Sequence, residues 1–309
     1  MIGQYLHRVD ANAFCHQNVA NLLFMTLDKK GVLNDLVLTL FNPDVLRLSQ
    51  VVIHHSESVT SQGLDVLKYH QIQSLDVKNL TKVNLEELID CFGEWTLNNI
   101  QTVSFSGATF GCLASAPNCK TPSKHTSIRG SPLPNRLHNA LGKLSNLQVL
   151  NLSGTELTSA ALLNICHDLR KLTTLDISGC NKIESVECLT VRKNTLRSLS
   201  LYNLKVLRTD ETRKILLELK GLVHLDVSEN KVSQDPVDRL IPSCSIVPEL
   251  LRNPEFGPCL SSLDISGQDQ TKLEDLHFFL KWHPDLKFVG LMLTSLCLDT
   301  VFLDSYDIM

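Results

Sequence analysis

The nine residues LTTLDISGC, residues 172–180, decide the fold of this chain because close variants of them recur along the sequence. LQVLNLSGT begins at residue 147, LVHLDVSEN at residue 222 and LSSLDISGQ at residue 260. In each copy apolar residues occupy the first, fourth and sixth positions. Successive side chains of a strand point to opposite faces, so the pattern predicts that Leu175 and Ile177 lie inward and Asp176 outward.

The L-x-x-L-x-L unit occurs nine times, and six of the eight spacings between successive units lie between 24 and 28 residues. Successive units start 24, 28, 47, 25, 24, 26, 38 and 26 residues apart. Spacings of about 20–29 residues are typical of leucine-rich repeats. One unit cannot bury its leucines alone, so such units stack on one another. The nine units start at Leu48, Ile72, Ile100, Leu147, Leu172, Leu196, Leu222, Leu260 and Leu286.

The segments between the strands carry a different period. SAALLNICHDLRKL and DETRKILLELKGL have apolar residues at three- and four-residue steps, which indicates helices. The sequence therefore predicts an α/β fold, a leucine-rich-repeat solenoid with parallel strands on the concave face and helices on the convex face. The residues that we expect to be buried in its strands include Leu175, Ile177, Leu225, Val227, Leu263 and Ile265.

The repeats are flanked and interrupted by segments of other composition. Residues 1–44 precede the first strand and contain two amphipathic stretches, about 17–27 and 32–41, which predict a small helical cap over the first repeat. Residues 45–309 are predicted to form the solenoid. Within it, residues 111–136 are rich in Ser, Pro and Lys and almost without apolar periodicity, so we predict a disordered insertion.

The composition excludes several classes of protein. A net charge of −4 argues against nucleic acid as the partner. Apolar runs stay below the ~18 residues of a membrane helix, and the N-terminus lacks a signal core. The ten cysteines show no C-x-x-C pair, so we interpret them as thiols that serve mainly as small apolar side chains. We expect an intracellular protein in the cytoplasm, with the nucleus as a second location.

The sequence also lacks the usual signatures of catalysis. It contains no phosphate-binding loop of the G-x-x-x-x-G-K-[ST] type, no G-x-S-x-G and no H-E-x-x-H. The pairs His54-His55 and Cys166-His167 are adjacent residues whose side chains point apart, so neither pair forms a dyad by itself. We therefore predict no catalytic residue, no metal ion and no cofactor.

The polar residues that follow the strand leucines allow two interpretations. Asp and Ser at strand ends commonly organise the next turn through bonds to the backbone. The same residues would also form a column on the concave face, through which solenoids bind their partners. We favour turn chemistry as their main role. The hypothetical protein-binding residues of this face are Asn151, Asp176, Tyr202, His224, Asp226 and Asp264.

Several motifs resemble one family in their order and spacing. They are GVLNDLVLTLFNPDVLRLSQVVI at 31–53, LYNLKVLRTDETRKILLELKGLVHLDVSEN at 201–230, LSSLDISG at 260–267 and WHPDLKFVGL at 282–291. Together they resemble the leucine-rich part of the Zyg-eleven/Zer family, whose members are substrate receptors of cullin-2 RING ubiquitin ligases.

The resemblance implies partners and a contact region. Family members bind elongin C, elongin B and cullin-2 through an N-terminal box, and a C-terminal armadillo-like array recognises substrate N-termini. This chain is expected to lack that array. On the family pattern the elongin and cullin contacts would fall on Cys15, Val19, Leu22 and Leu23, with Ala11 in place of the usual leucine.

We therefore predict a non-catalytic adaptor or substrate-receptor component of a cullin-2 RING ubiquitin ligase that binds an unknown protein substrate. Two alternatives remain open at this point. One is a free-standing leucine-rich-repeat scaffold, which Ala11 and the missing proline of the cullin box favour. The other is a truncated regulatory form without ligase contacts, which the missing array favours.

Overall fold

The structure is a computed structural model, and it describes residues 17–110, 140–230, 245–294 and 296. The chain divides into two compact units, residues 1–151 and residues 152–309. Each unit is a run of short parallel strands joined by helical return segments. We describe the units one at a time.

Unit 1 contains four parallel strands, in the order β1, β2, β4 and β6 across the sheet. Two shorter strands, β3 and β5, pair with each other in parallel beside them. The strands are β1 Gln50–Ile53, β2 Ser74–Val77, β3 Asn79–Leu80, β4 Thr102–Ser104, β5 Thr109–Phe110 and β6 Val149–Asn151.

Unit 2 contains five strands, which follow one another across the sheet in sequence order. Its strand pairs are parallel, as repeats of one hand require. The strands are β7 Thr174–Asp176, β8 Ser198–Ser200, β9 His224–Asp226, β10 Ser262–Asp264 and β11 Phe288–Gly290.

The leucines of the repeat stand in register within each unit. In unit 1 Val51 lies opposite Leu75, and in unit 2 Leu175 lies opposite Leu199. Each of the nine sequence motifs forms a strand that starts two residues after its first apolar residue. The predicted leucine-rich-repeat fold class is thus confirmed. The inward residues predicted from the alternation are all buried: Leu175, Ile177, Leu225, Val227, Leu263 and Ile265.

The return segments form short helices. Helix α6 begins after Thr158 and helix α7 after Thr209, and each threonine hydroxyl accepts a hydrogen bond from a backbone N–H three residues on. In unit 1 the helices are α1 Gln17–Lys29, α2 Asp35–Leu38, α3 Ser61–Leu64, α4 Leu85–Asp90 and α5 Glu94–Asn99, with a 3₁₀ helix at Asp65–Tyr69. In unit 2 they are α6 Ser159–Asp168, α7 Asp210–Glu218, α8 Val247–Leu251 and α9 Leu273–Trp282, with 3₁₀ helices at Glu187–Arg192 and Lys205–Arg208.

Helix α1 packs along β1 and satisfies its backbone. The amide oxygen of Asn21 accepts hydrogen bonds from the N–H groups of Ser49 and Gln50 at 3.0 and 3.2 Å. In the last turn of the helix, the buried carboxylate of Asp28 accepts hydrogen bonds from the N–H groups of His54 and His55 at 2.9 and 3.1 Å. An unpaired edge strand invites pairing with other chains, and here helix side chains take the place of a neighbouring strand.

The second amphipathic stretch is mostly not helical. Of residues 32–41 only α2, Asp35–Leu38, is a helix, because Asn34 caps it at one end and the chain turns again at Thr39. The predicted insertion at 111–136 and the predicted contact residue Cys15 fall on residues that the structure does not describe. Residues 1–16 and 111–139 lie outside the described residues, and the domain division stays a prediction.

His70 joins the loop after α2 to the start of β1. It is buried, and its Nε2–H donates to the carbonyl oxygen of Phe41 at 2.9 Å. Its Nδ1 accepts from the N–H of Leu48 at 3.1 Å, so the ring must be neutral to make both bonds. Burial lowers the pKa of His70 below the ordinary value of 6.5, while the bond to Phe41 opposes that shift.

We predict that His70 makes the stability of the protein fall in mild acid. Below pH 6.5 the unfolded state takes up a proton at His70 before the folded state does, so unfolding becomes easier as the pH falls toward the lowered folded pKa. The difference in unfolding free energy between wild type and His70→Gln should therefore shrink between pH 7 and pH 5 in urea titrations. A difference that stays constant over this range would contradict the prediction.

We predict that Leu175→Ala destabilises the protein by about 2–5 kcal/mol, because the leucine is fully packed between neighbouring repeats. Its side chain is 1% exposed. Urea unfolding would measure the loss against the matched variant Leu163→Ala, whose side chain is 51% exposed and should cost roughly 0.5 kcal/mol or less. Equal losses in the two variants would refute the predicted packing of β7.

Candidate functional site

Helix α1 carries apolar residues on two faces. Ala20, Phe24 and Leu27 are buried against the first repeat of unit 1. On the opposite face Leu22 is 66% exposed, and Met25, three residues on, is exposed too. Residues three and four apart are neighbours on a helix, so Leu22 and Met25 form one apolar patch. A helix with apolar residues on both sides has more apolar surface than its own unit covers.

The predicted elongin and cullin residues fall on this helix. Leu22 points to solvent, while Val19 and Leu23 are half-buried at the edges of the patch. Cys15 lies outside the described residues. Asn21 and Asp28 anchor the buried face through the bonds to β1 described above, which fixes the direction in which Leu22 points. The family resemblance identified Leu22, but it did not single out Met25.

A groove in unit 1 opens beside the same helix. Its volume is about 1110 Å³, and Gln17 at the start of α1 lies at its edge. Leu36 of α2 and Tyr69 line it and are strongly exposed. Sequence patterns did not predict this groove. Its walls come from segments about 30 residues apart, and only the fold brings these segments together.

The outward strand face of unit 1 pairs a histidine with an aspartate. Asp76 stands beside Ser104 on the next strand, and Ser104 stands beside Asn151. The Nε2 atom of His54, just after β1, lies 2.9 Å from Oδ2 of Asp76. The rings of His54 and His55 form an edge-to-face pair with centroids 6.1 Å apart, so the prediction that their side chains point apart is wrong. Asn151 is half-buried at the end of this row.

The outward strand face of unit 2 forms one row of polar residues. The register places Asp176 beside Ser200, Ser200 beside Asp226, and Asp226 beside Asp264. A Cβ atom on Gly290, the next position in the row, would overlap the carboxylate of Asp264. Three of the predicted binding residues, Asp176, Asp226 and Asp264, therefore lie in one row, as their place in the repeat required.

Each aspartate of this row organises the turn after its strand. The Oδ1 atoms of Asp176, Asp226 and Asp264 each accept a hydrogen bond from the backbone N–H two residues on, at 2.9 Å. The predicted turn chemistry is confirmed at these three positions. It does not test whether the same residues also contact a partner, and that role stays a prediction.

Hydroxyl groups link the row across strands. Ser200 donates from its Oγ to Oδ2 of Asp226 at 2.9 Å, and the Oγ atoms of Ser178 and Ser200 are 2.7 Å apart. Since the Ser200 proton is given to Asp226, Ser178 donates to Ser200. The chain of bonds holds neighbouring repeats together on their polar side.

The remaining two predicted residues lie on the same face. Tyr202 follows β8 and is half-buried, and its carbonyl oxygen accepts from the N–H of Gly179 at 2.8 Å. His224 opens β9 and is exposed. A hydroxyl, an imidazole and three carboxylates on one face can donate and accept hydrogen bonds with a protein partner.

The described residues show no group of three or more His, Cys, Asp or Glu side chains that could hold a metal ion. Within the same ranges, no helix has both the length and the apolar character needed to cross a lipid bilayer. At both strand faces, polar side chains are held by their neighbours.

Comparison with known proteins finds a family with similar repeats. Residues 163–283 match the family described as Zer-1-like, leucine-rich repeats. These repeats are similar to the leucine-rich repeats of that family. The resemblance to the Zyg-eleven/Zer family that the motifs predict is confirmed.

Two curated relatives carry the same similarity over more of the chain. They are the protein zer-1 homologs of Homo sapiens and Pongo abelii, each 24% identical over 292 residues and matching 83% of this chain. The match covers 34% of each relative, so the chain spans about a third of the length of the curated relatives it matches.

Solved structures of low sequence identity were also found. An internalin, InlF of Listeria monocytogenes, is 16% identical with a TM-score of 0.47, covering 84% of this chain and 64% of its own. A chain of the Rad7 and Elc1 complex of yeast is 14% identical with a TM-score of 0.42, covering 93% of this chain and 85% of its own.

We predict that Asp226→Ala destabilises unit 2 more than Asp264→Ala does. Asp226 loses the bonds from the Ser228 N–H and hydroxyl and from the Ser200 hydroxyl, whereas the bond lost with Asp264 is from the Ser266 N–H. A hydrogen bond to a charged group contributes about 1.5–3 kcal/mol, so the difference should be on the order of 1–2 kcal/mol. Urea unfolding of the two variants measures it, and equal losses would show that the cross-strand bond contributes nothing.

Proposed function

We propose that this protein is a non-catalytic adaptor of a cullin-2 RING ubiquitin ligase, in which it acts as a substrate-receptor component. The observation that carries the proposal is the match of residues 163–283 to Zer-1-like leucine-rich repeats. The motif at residues 31–53, which resembles the Zyg-eleven/Zer family of cullin-2 receptors, extends this similarity toward the N-terminus. The polar strand faces support a role in binding rather than in chemistry.

The patch of Leu22 and Met25 on α1 is the proposed contact with elongin C and cullin-2. Exposed apolar side chains that are grouped together often mark protein interfaces. Leu22 is the centre of this patch, and Val19 and Leu23 would enlarge it when a partner covers the helix. Elongin B would join through elongin C. The buried side of α1 would then hold the repeats, while its exposed side holds the ligase.

The outward strand faces are the proposed surface for the protein substrate. In unit 2 the exposed ring of His224 lies two residues before Asp226 on β9, beside the row of aspartates. In unit 1 Asn151 ends the corresponding row. The side chains are already held by hydrogen bonds, so a partner would meet a preorganised surface and lose less entropy on binding.

We predict that Leu22→Asp abolishes ligase assembly. Tagged residues 1–309 would be mixed at micromolar concentration with purified elongin B, elongin C and cullin-2, and the captured proteins would be quantified. A charge in a buried apolar contact stays unpaired, so binding should weaken at least about tenfold. The triple variant of Cys15, Val19 and Leu23 to Asp should have the same effect.

Leu163→Asp is the matched control, because Leu163 is an exposed helical leucine of unit 2 that this interface does not use. It should bind like the wild type, and all variants should unfold at temperatures near that of the wild type. Failure of the wild-type chain to capture the three proteins would refute the adaptor and leave the free-standing scaffold. Equal capture by Leu22→Asp would refute the proposed face.

A further inference from the structure

One edge of unit 2 is rich in basic residues, although the chain as a whole has a net charge of −4. Three successive loops form this edge, and they lead from the return segments into β7, β8 and β9. With the last residue of each return segment, the loops span 168–173, 192–197 and 218–223 and hold six basic and two acidic residues. The row of aspartates lies toward the other end of these strands. The basic residues are Arg170, Lys171, Arg192, Lys193, Arg197 and Lys220.

Two arginines of this edge are bonded to the loop beside their own. Nη1 of Arg192 donates to the carbonyl oxygen of Arg170 at 3.1 Å, and Nη1 of Arg197 donates to that of Gly221 at 3.4 Å. The backbone N–H and carbonyl groups of Arg197 are also hydrogen-bonded to the backbone of the loops on either side. The position of Arg197 is therefore set by the stack of repeats.

A glycine makes room for the side chain of Arg197. A Cβ atom on Gly221 would lie 2.5 Å from Nη1 of Arg197, so a larger residue would displace the guanidinium. Nη1 also donates to the carbonyl oxygen of Leu196 at 3.0 Å. The guanidinium still has N–H donors on Nε and Nη2 to offer to an acceptor from outside.

A groove lies between the second and the third of these loops. Its volume is about 450 Å³, and its wall contains Lys193, Arg197 and Lys220 together with Asn194 and Glu218. The side chains of Lys193 and Lys220 are both more than half exposed. The groove thus presents three cationic groups and one amide to solvent, with one carboxylate among them.

The acidic neighbours of the two lysines are weakly held. Glu218 lies 3.7 Å from Nζ of Lys193, and Glu255 lies 3.2 Å from Nζ of Lys220. Both carboxylates are more than half exposed, and exposed ion pairs contribute little because solvent screens them. A carboxylate from another protein can therefore take their place.

We infer that this groove binds an acidic segment of a partner protein in extended conformation. Strands lie about 4.8 Å apart and an extended chain rises about 3.4 Å per residue, so about three or four residues of the segment span the three loops. Its carboxylates accept hydrogen bonds from the Arg197 guanidinium and from the amino groups of Lys193 and Lys220. The proposed function places its contacts on α1 and on the outward strand faces, so this inference does not depend on it.

The acidic residues of the edge favour a peptide over a nucleic acid. A nucleic acid carries a continuous line of phosphates, and here that line would pass Glu218 and Glu255 as well as the basic residues. A peptide can place carboxylates opposite Lys193 and Lys220 and uncharged residues beside the two glutamates. The occupant of the groove is thus a protein segment with several Asp or Glu residues.

Fluorescence anisotropy of the full chain tests the inference. The probe is a fluorescein-labelled peptide of six alternating Asp and Glu residues, and its counterpart has six alternating Asn and Gln residues. The acidic peptide should bind at least about tenfold more tightly than the amide peptide. Its affinity should fall as the salt concentration rises from about 50 to about 300 mM, because exposed charges are screened.

Four variants separate a positioned site from general attraction between charges. Lys220→Gln should weaken binding about two- to fivefold, as expected for an exposed charge pair. Lys182→Gln is the matched control and should bind like the wild type. It removes the same charge from a lysine of unit 2 that is also 57% exposed and lies outside the three loops. Gly221→Ala and Arg197→Lys keep the net charge but disturb the guanidinium, so each should weaken binding, with thermal unfolding as the check on folding.

Several results would overturn the inference. Equal affinity for the two peptides would show that the groove does not recognise carboxylates. Equal weakening by Lys182→Gln and Lys220→Gln would show that only total charge matters, and wild-type affinity in a folded Arg197→Lys variant would show that the guanidinium is not used. Tighter binding of a short DNA duplex than of the acidic peptide would overturn the choice of partner.

Discussion

The structure of each unit depends on the burial of strand leucines against the residues at the same register position of the next repeat. A single repeat has one apolar edge and nothing of its own to cover it, so the leucines are stable only in a stack. The outermost strand of a stack has unpaired backbone groups as well as uncovered leucines. In unit 1 helix α1 covers the apolar surface with Phe24 and Leu27. Its Asn21 and Asp28 side chains accept hydrogen bonds from the backbone N–H groups beside β1.

The same register determines where the polar residues lie. Parallel strands are about 4.8 Å apart, so outward side chains on neighbouring strands come within hydrogen-bond distance of each other. Ser200 reaches Asp226 in this way, and His54 reaches Asp76. Asp226 therefore has two structural roles, since it holds the turn of its own repeat and accepts a hydrogen bond from the preceding one. A protein partner at this face would contact side chains whose positions the stack has already set.

The proposed functions use surfaces that the stack leaves uncovered. Helix α1 is bonded to β1 on one side, and that is why Leu22 on its other side can be offered to a partner without loss of the fold. The first repeat thus gives α1 a rigid support, and the residues on the outer side of the helix would supply the contact.

The sequence by itself determined the nine strands, their inward residues and the outward place of Asp176, Asp226 and Asp264, because these follow from a local period of two that recurs nine times. It also indicated that Leu22 belongs to an amphipathic helix. Only the tertiary structure decided which residues meet: His54 with Asp76, Ser200 with Asp226, and Asn21 with the start of β1. These partners are 22 to 29 residues apart, and periodicity in the sequence carries no signal for such pairs. Their contact depends on how far one repeat advances along the stack, which is a property of the packed leucines rather than of any single segment.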